Sequence, residues 1–329
     1  VKRLLLLCAL FLMAAAAPPG CAQEGSSGAN GWTPDWGGST WAWWSFDQPD
    51  GARFAEPMSG GCTHGAGLCD LTRVNDPSSD TVHFQQGMAS QHFVGDGDSE
   101  FPDQYFRCNF ADCAPSSATV GLNKSDQDFT FGAWVRPEAG SGGTWFINSK
   151  SDSTTGGYQA QFSNAAGNPD KTICRINDSG NNPTTATGTA TPALDTWLHV
   201  ACRVYAGNVA LYENGVLQAT AAGTYAAANG TVWAVGGDAT QADLIGSMDE
   251  VFFFNTAISD ASICRVCSCG IEGRLCTCDV TDPTAYRACT VDGDCRAPST
   301  CDGSFCRGRR VSACGSCTIT ATCNQAAPS

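Results

Sequence analysis

A two-residue alternation of side chains is the feature that most narrows the fold. Asp128-Phe-Thr-Phe-Gly-Ala-Trp-Val-Arg136 places Phe129, Phe131, Ala133 and Val135 on one face, and Thr130, Gly132, Trp134 and Arg136 on the other. Leu198, Val200, Cys202 and Val204 alternate in the same way with His199, Ala201, Arg203 and Tyr205. Successive side chains of a strand point to opposite faces, so this spacing predicts half-buried β-strands. The run from Asp249 to Phe254 (D-E-V-F-F-F) is apolar on both faces and reads as a buried central strand. Asn208 to Thr220 reads as a hairpin, because Asn214-Gly215 tolerates the positive φ of a type I′ turn. No helical period lasts beyond about one turn, apart from a short helix suited to Asp260–Val266. Strands joined by Gly, Asn and Ser turns, with 37 glycines among 329 residues, predict an all-β fold of two antiparallel sheets in a sandwich.

The 20 cysteines divide the chain. Twelve of them fall in the 66 residues from Cys264 to Ser329, where large apolar side chains are few. So small a segment cannot bury much of a core and needs cross-links, each contributing roughly 2–4 kcal/mol. Residues 264–329 are therefore expected to form a small disulfide-rich C-terminal module. Cys289-Thr-Val-Asp-Gly-Asp-Cys295 and Cys301-Asp-Gly-Ser-Phe-Cys306 resemble the small cysteine-rich modules of extracellular proteins. The rival reading is zinc, since Cys264-x-x-Cys267 and Cys314-x-x-Cys317 have ligand spacing, but the segment has no histidine. In the larger region, the spacings suggest local loops closed by Cys62–Cys69 and Cys108–Cys113. Cys174 and Cys202 lie on two strand-like runs and are expected to bridge them as sheet neighbours.

The amino terminus reads as a targeting segment. Lys2 and Arg3 precede a 14-residue apolar run, Leu4–Ala17, which is shorter than the roughly 20 residues a spanning helix needs. Residues 1–21 are read as a secretory signal peptide. Its Gly20-Cys21 end resembles the lipobox of bacterial lipoproteins, making Cys21 the expected lipid anchor. Pro18 departs from that motif, so ordinary cleavage after Ala22 stays open as the second route. Residues 22–39 follow as a flexible tether, then 40–263 as the sandwich. The tail has seven Arg against six acids and the signal two cations, so residues 22–263 hold a net charge of −17 out of −14 overall. An acidic surface repels phosphate backbones and argues against nucleic acid as a partner. Export to the cell envelope or outer surface, or secretion, is the expected localisation, in keeping with the cysteine usage.

Four strings occur in order: D-F-T-F-G-A-W-V-R-P (128–137), D-T-W-L-H-V-A-C-R-V-Y (195–205), L-Y-E-N-G (211–215) and G-S-M-D-E-V-F-F-F-N-T-A-I-S (246–259). With W-W-S-F-D (43–47) and H-F-V-G-D-G-D (92–98), they resemble the LamG-like jelly roll of the concanavalin A-like lectin/glucanase superfamily. The resemblance spans about residues 40–262 and implies a two-sheet jelly roll whose concave face or rim loops bind ligands. It also implies calcium near the rim, with Asp96, Asp98 and Asp249 as ligands and Asp238 and Asp243 close in sequence. The same residues read equally as solvated turn aspartates, and Asp249 as an acceptor of backbone amides.

Glucanases of this fold carry paired carboxylates in an E-x-D-x-x-E strand, as a retaining glycosidase requires. Here Ser247 and Phe252 stand at the outer positions, and Asp249 and Glu250, being adjacent, are expected to face opposite ways. There is no G-x-S-x-G elbow or H-E-x-x-H helix either. The reading is non-catalytic binding of a glycan or a cell-surface protein. The alternatives are a structural or adhesive envelope component and, behind it, a diverged glycoside hydrolase. Trp41 and Trp43 share one face of a strand and are read as core, Trp32 and Trp36 as exposed, and no sugar site is named from the cluster of Trp32, Trp36, Trp41, Trp43 and Trp44. His83, His92 and His199 are expected to be packing or surface residues rather than ligands.

Overall fold

The computed structural model describes residues 40–44, 46, 71–75, 77–85, 89–94, 104–109, 122, 128–149, 155–165, 167–228, 232–237, 243–269, 300–302 and 305–307. Numbered along the chain, eight strands form one antiparallel sheet: β1 (Thr40–Trp44), β3 (Ser78–Asp80), β4 (Ser90–Val94), β6 (Phe129–Pro137), β11 (Leu198–Tyr205), β12 (Asn208–Glu213), β13 (Val216–Ala222) and β15 (Ile245–Phe254). Their order is β13-β12-β11-β6-β15-β4-β3, with β1 also pairing with β15. Seven strands form the second sheet: β2 (Thr72–Val74), β5 (Tyr105–Asn109), β7 (Trp145–Asn148), β8 (Tyr158–Ala165), β9 (Asn168–Asn177), β10 (Pro183–Thr187) and β14 (Val232–Val235). Their order is β10-β9-β8-β7-β14-β5-β2. The result is the expected all-β, two-sheet antiparallel sandwich, consistent with a jelly roll.

The alternation seen in the sequence sorts side chains between the sheets and outside them. Phe129, Phe131, Ala133 and Val135 of β6 and Val200, Cys202 and Val204 of β11 enter the inter-sheet core. The hairpin forms as expected: Glu213 faces Val216, and Asn214 and Gly215 have φ of 48° and 76°. Aromatic rings knit the sheets. Trp44 of β1 stacks on Trp233 of β14 with centroids 5.0 Å apart, and Phe131 of β6 meets Tyr158 of β8 at 4.5 Å. Such pairs add roughly 0.5–1.5 kcal/mol beyond the area they bury. The phenol of Tyr158 donates to the Leu122 carbonyl at 2.7 Å, so its burial leaves no orphan donor.

Cys174 of β9 and Cys202 of β11 are disulfide-bonded, with Cα atoms 5.6 Å apart. The strands belong to different sheets, so the bond crosses the sandwich and does not link sheet neighbours as expected. Facing sheets ordinarily lie ~10 Å apart, and the bridge requires a pinch there. Small residues permit it: Cys174 is flanked in register by Ala160 and Ala186. At the adjoining margin Gly223 follows β13, and a Cβ there would collide with Thr184 of β10. Cys108 and Cys264 each also take part in a disulfide. Cys62, Cys69 and Cys113 lie outside the described residues, as do Cys21 and nearly all of the C-terminal module. Of that module, β16 (Thr300–Asp302) and β17 (Phe305–Arg307) pair with Cys301 opposite Cys306.

Among the described residues one helix, α1 (Asp260–Cys269), follows β15 and spans the boundary drawn at residue 263. Ser259 caps it, its hydroxyl accepting the Ser262 amide at 3.1 Å. Ile263 and Val266 pack with Trp43, Tyr212, Phe252 and Phe254 on the outer face of the eight-stranded sheet. This explains why β15 is apolar on both sides: Val251 and Phe253 face the inter-sheet core, Phe252 and Phe254 the helix. Arg203 fastens the arrangement, donating to Asp260 at 2.5 Å and to the Ile258 carbonyl at 3.1 Å while its guanidinium lies over Tyr205 and Tyr212.

Candidate functional site

The sandwich has two outer faces, and their polar groups are disposed differently. On the eight-stranded sheet, the acids are engaged. Met248 and Val251 both face the core, so a bulge lies between them; Glu250 takes the left-handed conformation, φ 51°, and the register against β6 shifts. Asp249 and Glu250 therefore both fall on the outer side, contrary to the expectation that adjacent residues face opposite ways. Neither opens onto a cleft. Asp249 is wholly buried and accepts the amides of Gln85 and Glu250 at 2.8 Å each. Glu250 is nearly buried and accepts from Trp43 Nε1 at 2.6 Å. This is the amide-accepting role for Asp249 among the two weighed from sequence. Asp96, Asp98 and Asp238 lie outside the described residues.

At the β3 edge of this sheet is a cleft of about 390 Å³ lined by Asp80, His83, His92 and Glu138 among others. Its charges also answer one another. Arg136 donates to Glu138 at 2.6 Å and to Asp195 at 2.8 Å, and His92 Nε2 lies 3.4 Å from Glu138. Asp80 accepts the amides of Val82 and His83, and its other oxygen is 2.9 Å from His83 Nδ1. Partial burial alone would raise the Asp80 carboxyl, but these hydrogen bonds hold it below its ordinary value. Among the described residues no group of three or more His, Cys, Asp or Glu is placed to hold a metal ion. His199, further along the face, is wholly buried between Trp134 and Phe252, a packing residue as expected. Burial drives its pKa down to about 3, and neither ring nitrogen has a hydrogen-bond partner among the described residues.

The outer face of the seven-stranded sheet is composed otherwise. Tyr158, Ala160 and Phe162 of β8 enter the core, which turns Gln159 and Gln161 outward. Cys174 and Ile176 do the same for Arg175 on β9. Registers then align one row across the sheet: Thr185, Arg175, Gln159, Asn148, Ala234, Arg107 and Thr72. Trp145 lies outside the inter-sheet core and pairs with Gln161 in the adjoining row. Gln159 is wholly buried; its Nε2 donates to Asn148 Oδ1 at 3.3 Å, but its Oε1 has no donor among the described residues. The buried Oε1 of Gln161 has none either. Arg175 donates through Nε to Asn177 at 3.2 Å and forms no ion pair with a described residue, and burial pulls its guanidinium below its ordinary value. Arg107 is exposed.

Sequence reasoning did not single out Gln159, Gln161, Arg175 or Arg107. The available signal was Y-Q-A-Q-F at 158–162, where two amides alternate with core residues. Of the tryptophans, Trp43 is buried as expected and Trp44, not assigned from sequence, is buried too, while Trp32 and Trp36 lie outside the described residues.

Residues 114–264 match the family model of the concanavalin A-like lectin/glucanases superfamily, Laminin_G_3. Strands β1 to β5 lie ahead of the matched stretch and complete both sheets. No curated protein matches the chain. Among solved structures, a mutant of HCR/D is similar at 11% identity and a TM-score of 0.50, covering 70% of this chain. The likeness is one of fold, and this chain spans 52% of the HCR/D chain. Domain 4 of AbnA, a GH43 extracellular arabinanase from Geobacillus stearothermophilus solved with arabinotriose, gives 16% identity and a TM-score of 0.42, covering 69% of this chain and 97% of that one. The carbohydrate-binding module CBM66 from Bacillus subtilis gives 12% and 0.34, covering 57% and 96%.

Proposed function

We propose that the protein is an exported, lipid-anchored surface protein that binds a glycan without catalysis, on the outer face of its seven-stranded sheet. One observation carries this reading: the orphan amide carbonyls of Gln159 and Gln161 beside Trp145. A buried acceptor left without a donor costs about 1–3 kcal/mol. Residues two apart on a strand lie roughly 7 Å apart, so the two carbonyls would offer a pair of acceptors to hydroxyl donors on one ligand once this patch, where Gln159 is wholly buried and Trp145 only 8% exposed, is uncovered. Sugars are rich in such hydroxyls, and an aromatic ring beside them supplies an apolar surface for a sugar's C–H groups. The lectin-like character of the domain agrees with this. On the opposite face, Asp249 and Glu250 are enclosed and hydrogen-bonded, which speaks against a hydrolytic pair there.

Export is supported by the Cys174–Cys202 bond and the cysteine-dense tail, since such bonds persist in oxidising compartments. The anchor is assigned to Cys21; Cys21→Ser is expected to release the protein from membrane fractions, and unchanged fractionation rejects it. Asp249 has both oxygens on amides, so a calcium site, if it belongs to the binding surface, rests on Asp96 and Asp98. Calorimetric titration with millimolar calcium decides that point.

The binding reading is tested by passing the oxidised protein over immobilised polysaccharides, with calcium and then with chelator. Retention that is lost in Gln159→Leu and Trp145→Ala is the expected result. Retention untouched by both substitutions would move the site elsewhere, and silence across the panel would favour a protein partner or a structural role.

A further inference from the structure

The outward positions of the seven strands carry three cations, Lys171 and Arg175 on β9 and Arg107 on β5. Among the described residues those positions include no Asp or Glu; Asp170 of β9 falls on the alternate phase. This is unexpected on composition, because residues 22–263 hold a net −17. The opposite sheet shows where the described acids gather: Asp80, Glu138, Asp195, Asp249, Glu250 and Asp260 all lie on its side. Asp178, just past β9, is engaged with its own turn, accepting the amides of Gly180 and Asn182.

The cations differ in what they have left to offer. Lys171 already donates to the Thr189 carbonyl at 2.7 Å. Arg175 has only its Nε in use among the described residues, so the two terminal nitrogens of the guanidinium fork are free beside Gln159. Arg107, in the same row, makes no hydrogen bond or ion pair through its side chain with a described residue and is exposed. Four strand spacings separate β9 from β5, about 19 Å at the usual interval. Asn148 and Ala234, 1% and 2% exposed, fill the row between Gln159 and Arg107.

We propose that the glycan bound on this face is acidic, a polymer bearing carboxylates, with Arg175 pairing one carboxylate beside Gln159 and Arg107 taking a second further along the same chain. The proposal rests on the glycan reading above and narrows it. A guanidinium fork matches a planar carboxylate in two parallel hydrogen bonds, which favours carboxylates over a point anion. The donorless Gln159 carbonyl beside Arg175 calls for a hydroxyl donor, which a uronic acid chain supplies between its charges.

The test uses the full-length oxidised protein and three immobilised polymers: polygalacturonate, alginate and hyaluronate. Each is presented as the free acid and as its methyl ester, with single-stranded DNA alongside. The expected result is retention on at least one free acid, weakened about tenfold or more on its ester, in Arg175→Gln and, to a smaller degree, in Arg107→Gln. An Arg296→Gln control in the tail is expected to bind as the parent does, and matched melting curves establish that the variants fold. Equal retention on acid and ester, lost in Gln159→Leu, overturns the acidic ligand while leaving the glycan reading intact. Retention on none of the six surfaces overturns the acidic proposal; if neutral polysaccharides are silent as well, the glycan reading falls with it. DNA held as well as the acids, with equal sensitivity to Arg175→Gln, overturns it in favour of general anion exchange.

Discussion

The two outer faces of the sandwich have the same backbone geometry and opposite habits. On the eight-stranded sheet, the charges meet counterparts: Arg136 with Glu138 and Asp195, Arg203 with Asp260, Asp249 with two amides. The apolar half of that face is sealed by α1. On the seven-stranded sheet, Gln159 and Gln161 keep carbonyls without donors, and Arg175 and Arg107 have no carboxylates among the described residues. Orphan polar atoms occur on both faces, since His199 and Trp134 keep unpartnered ring nitrogens on the eight-stranded side; what sets the seven-stranded face apart is that its arginines lack carboxylate partners among the described residues.

The comparison can be broken most forcefully where α1 is seated. Phe252→Ala opens the layer beneath the helix and is expected to cost about 3–5 kcal/mol in chemical denaturation. Ile173→Ala, on the outer side of β9, is expected to cost under about 1 kcal/mol. Equal costs would mean that the two faces are equally structural. Removing the Cys174–Cys202 bond through Cys202→Ala is expected to cost roughly 2–4 kcal/mol and to loosen both faces together.

Acidity separates the faces next. His199 has its folded pKa depressed to about 3, below the ordinary 6.5, so the unfolded chain binds the extra proton first. Its contribution is therefore constant above 6.5 and stability is lost as pH falls from there toward 3, by up to about 1.4 kcal/mol per unit. Comparing urea unfolding of the parent and His199→Phe between pH 7 and pH 4 should show the shallower loss in the variant. Identical slopes would reject the burial of a neutral imidazole. Arg203→Ala is expected to cost about 1–2 kcal/mol through the lost Asp260 and Ile258 contacts, whereas Arg175→Ala should leave the melting point within a degree or two. The smallest effect on stability is paired with the largest on binding. Gln159→Leu removes an orphan acceptor and is expected to change stability by less than about 1 kcal/mol, in either direction, while abolishing retention on the glycan.

Strand identity was legible because alternation is a local property: Phe129 to Val135 and Leu198 to Val204 declare their inner faces without reference to any neighbour. The hairpin at Asn214-Gly215 and the two-faced apolar run of β15 were legible for the same reason. Long-range matters were not. Nothing local tells that Cys174 and Cys202 stand in facing sheets, because their separation of 28 residues suits either arrangement. Alternation misplaced Glu250 because a bulge with φ 51° adds one residue to the count. The candidate site escaped notice since Gln159, Asn148, Arg175 and Arg107 come from four strands. Only register assembles them into a row.

The pairing of β1 with β15 sets Thr40, where the sandwich begins, against Phe254, after which the chain turns into α1. Entry and exit thus share one corner of the domain. If a membrane holds the segment before β1 and a neighbour pulls on the tail, tension runs through that strand pair and the helix seated beside it. Two antiparallel strands tugged from adjacent ends unzip rung by rung, and the Arg203 clamp is the last catch before they do. The seven-stranded sheet lies off this line of force. A bound chain on its outer face would be held by a surface that feels little of the strain on its own tether.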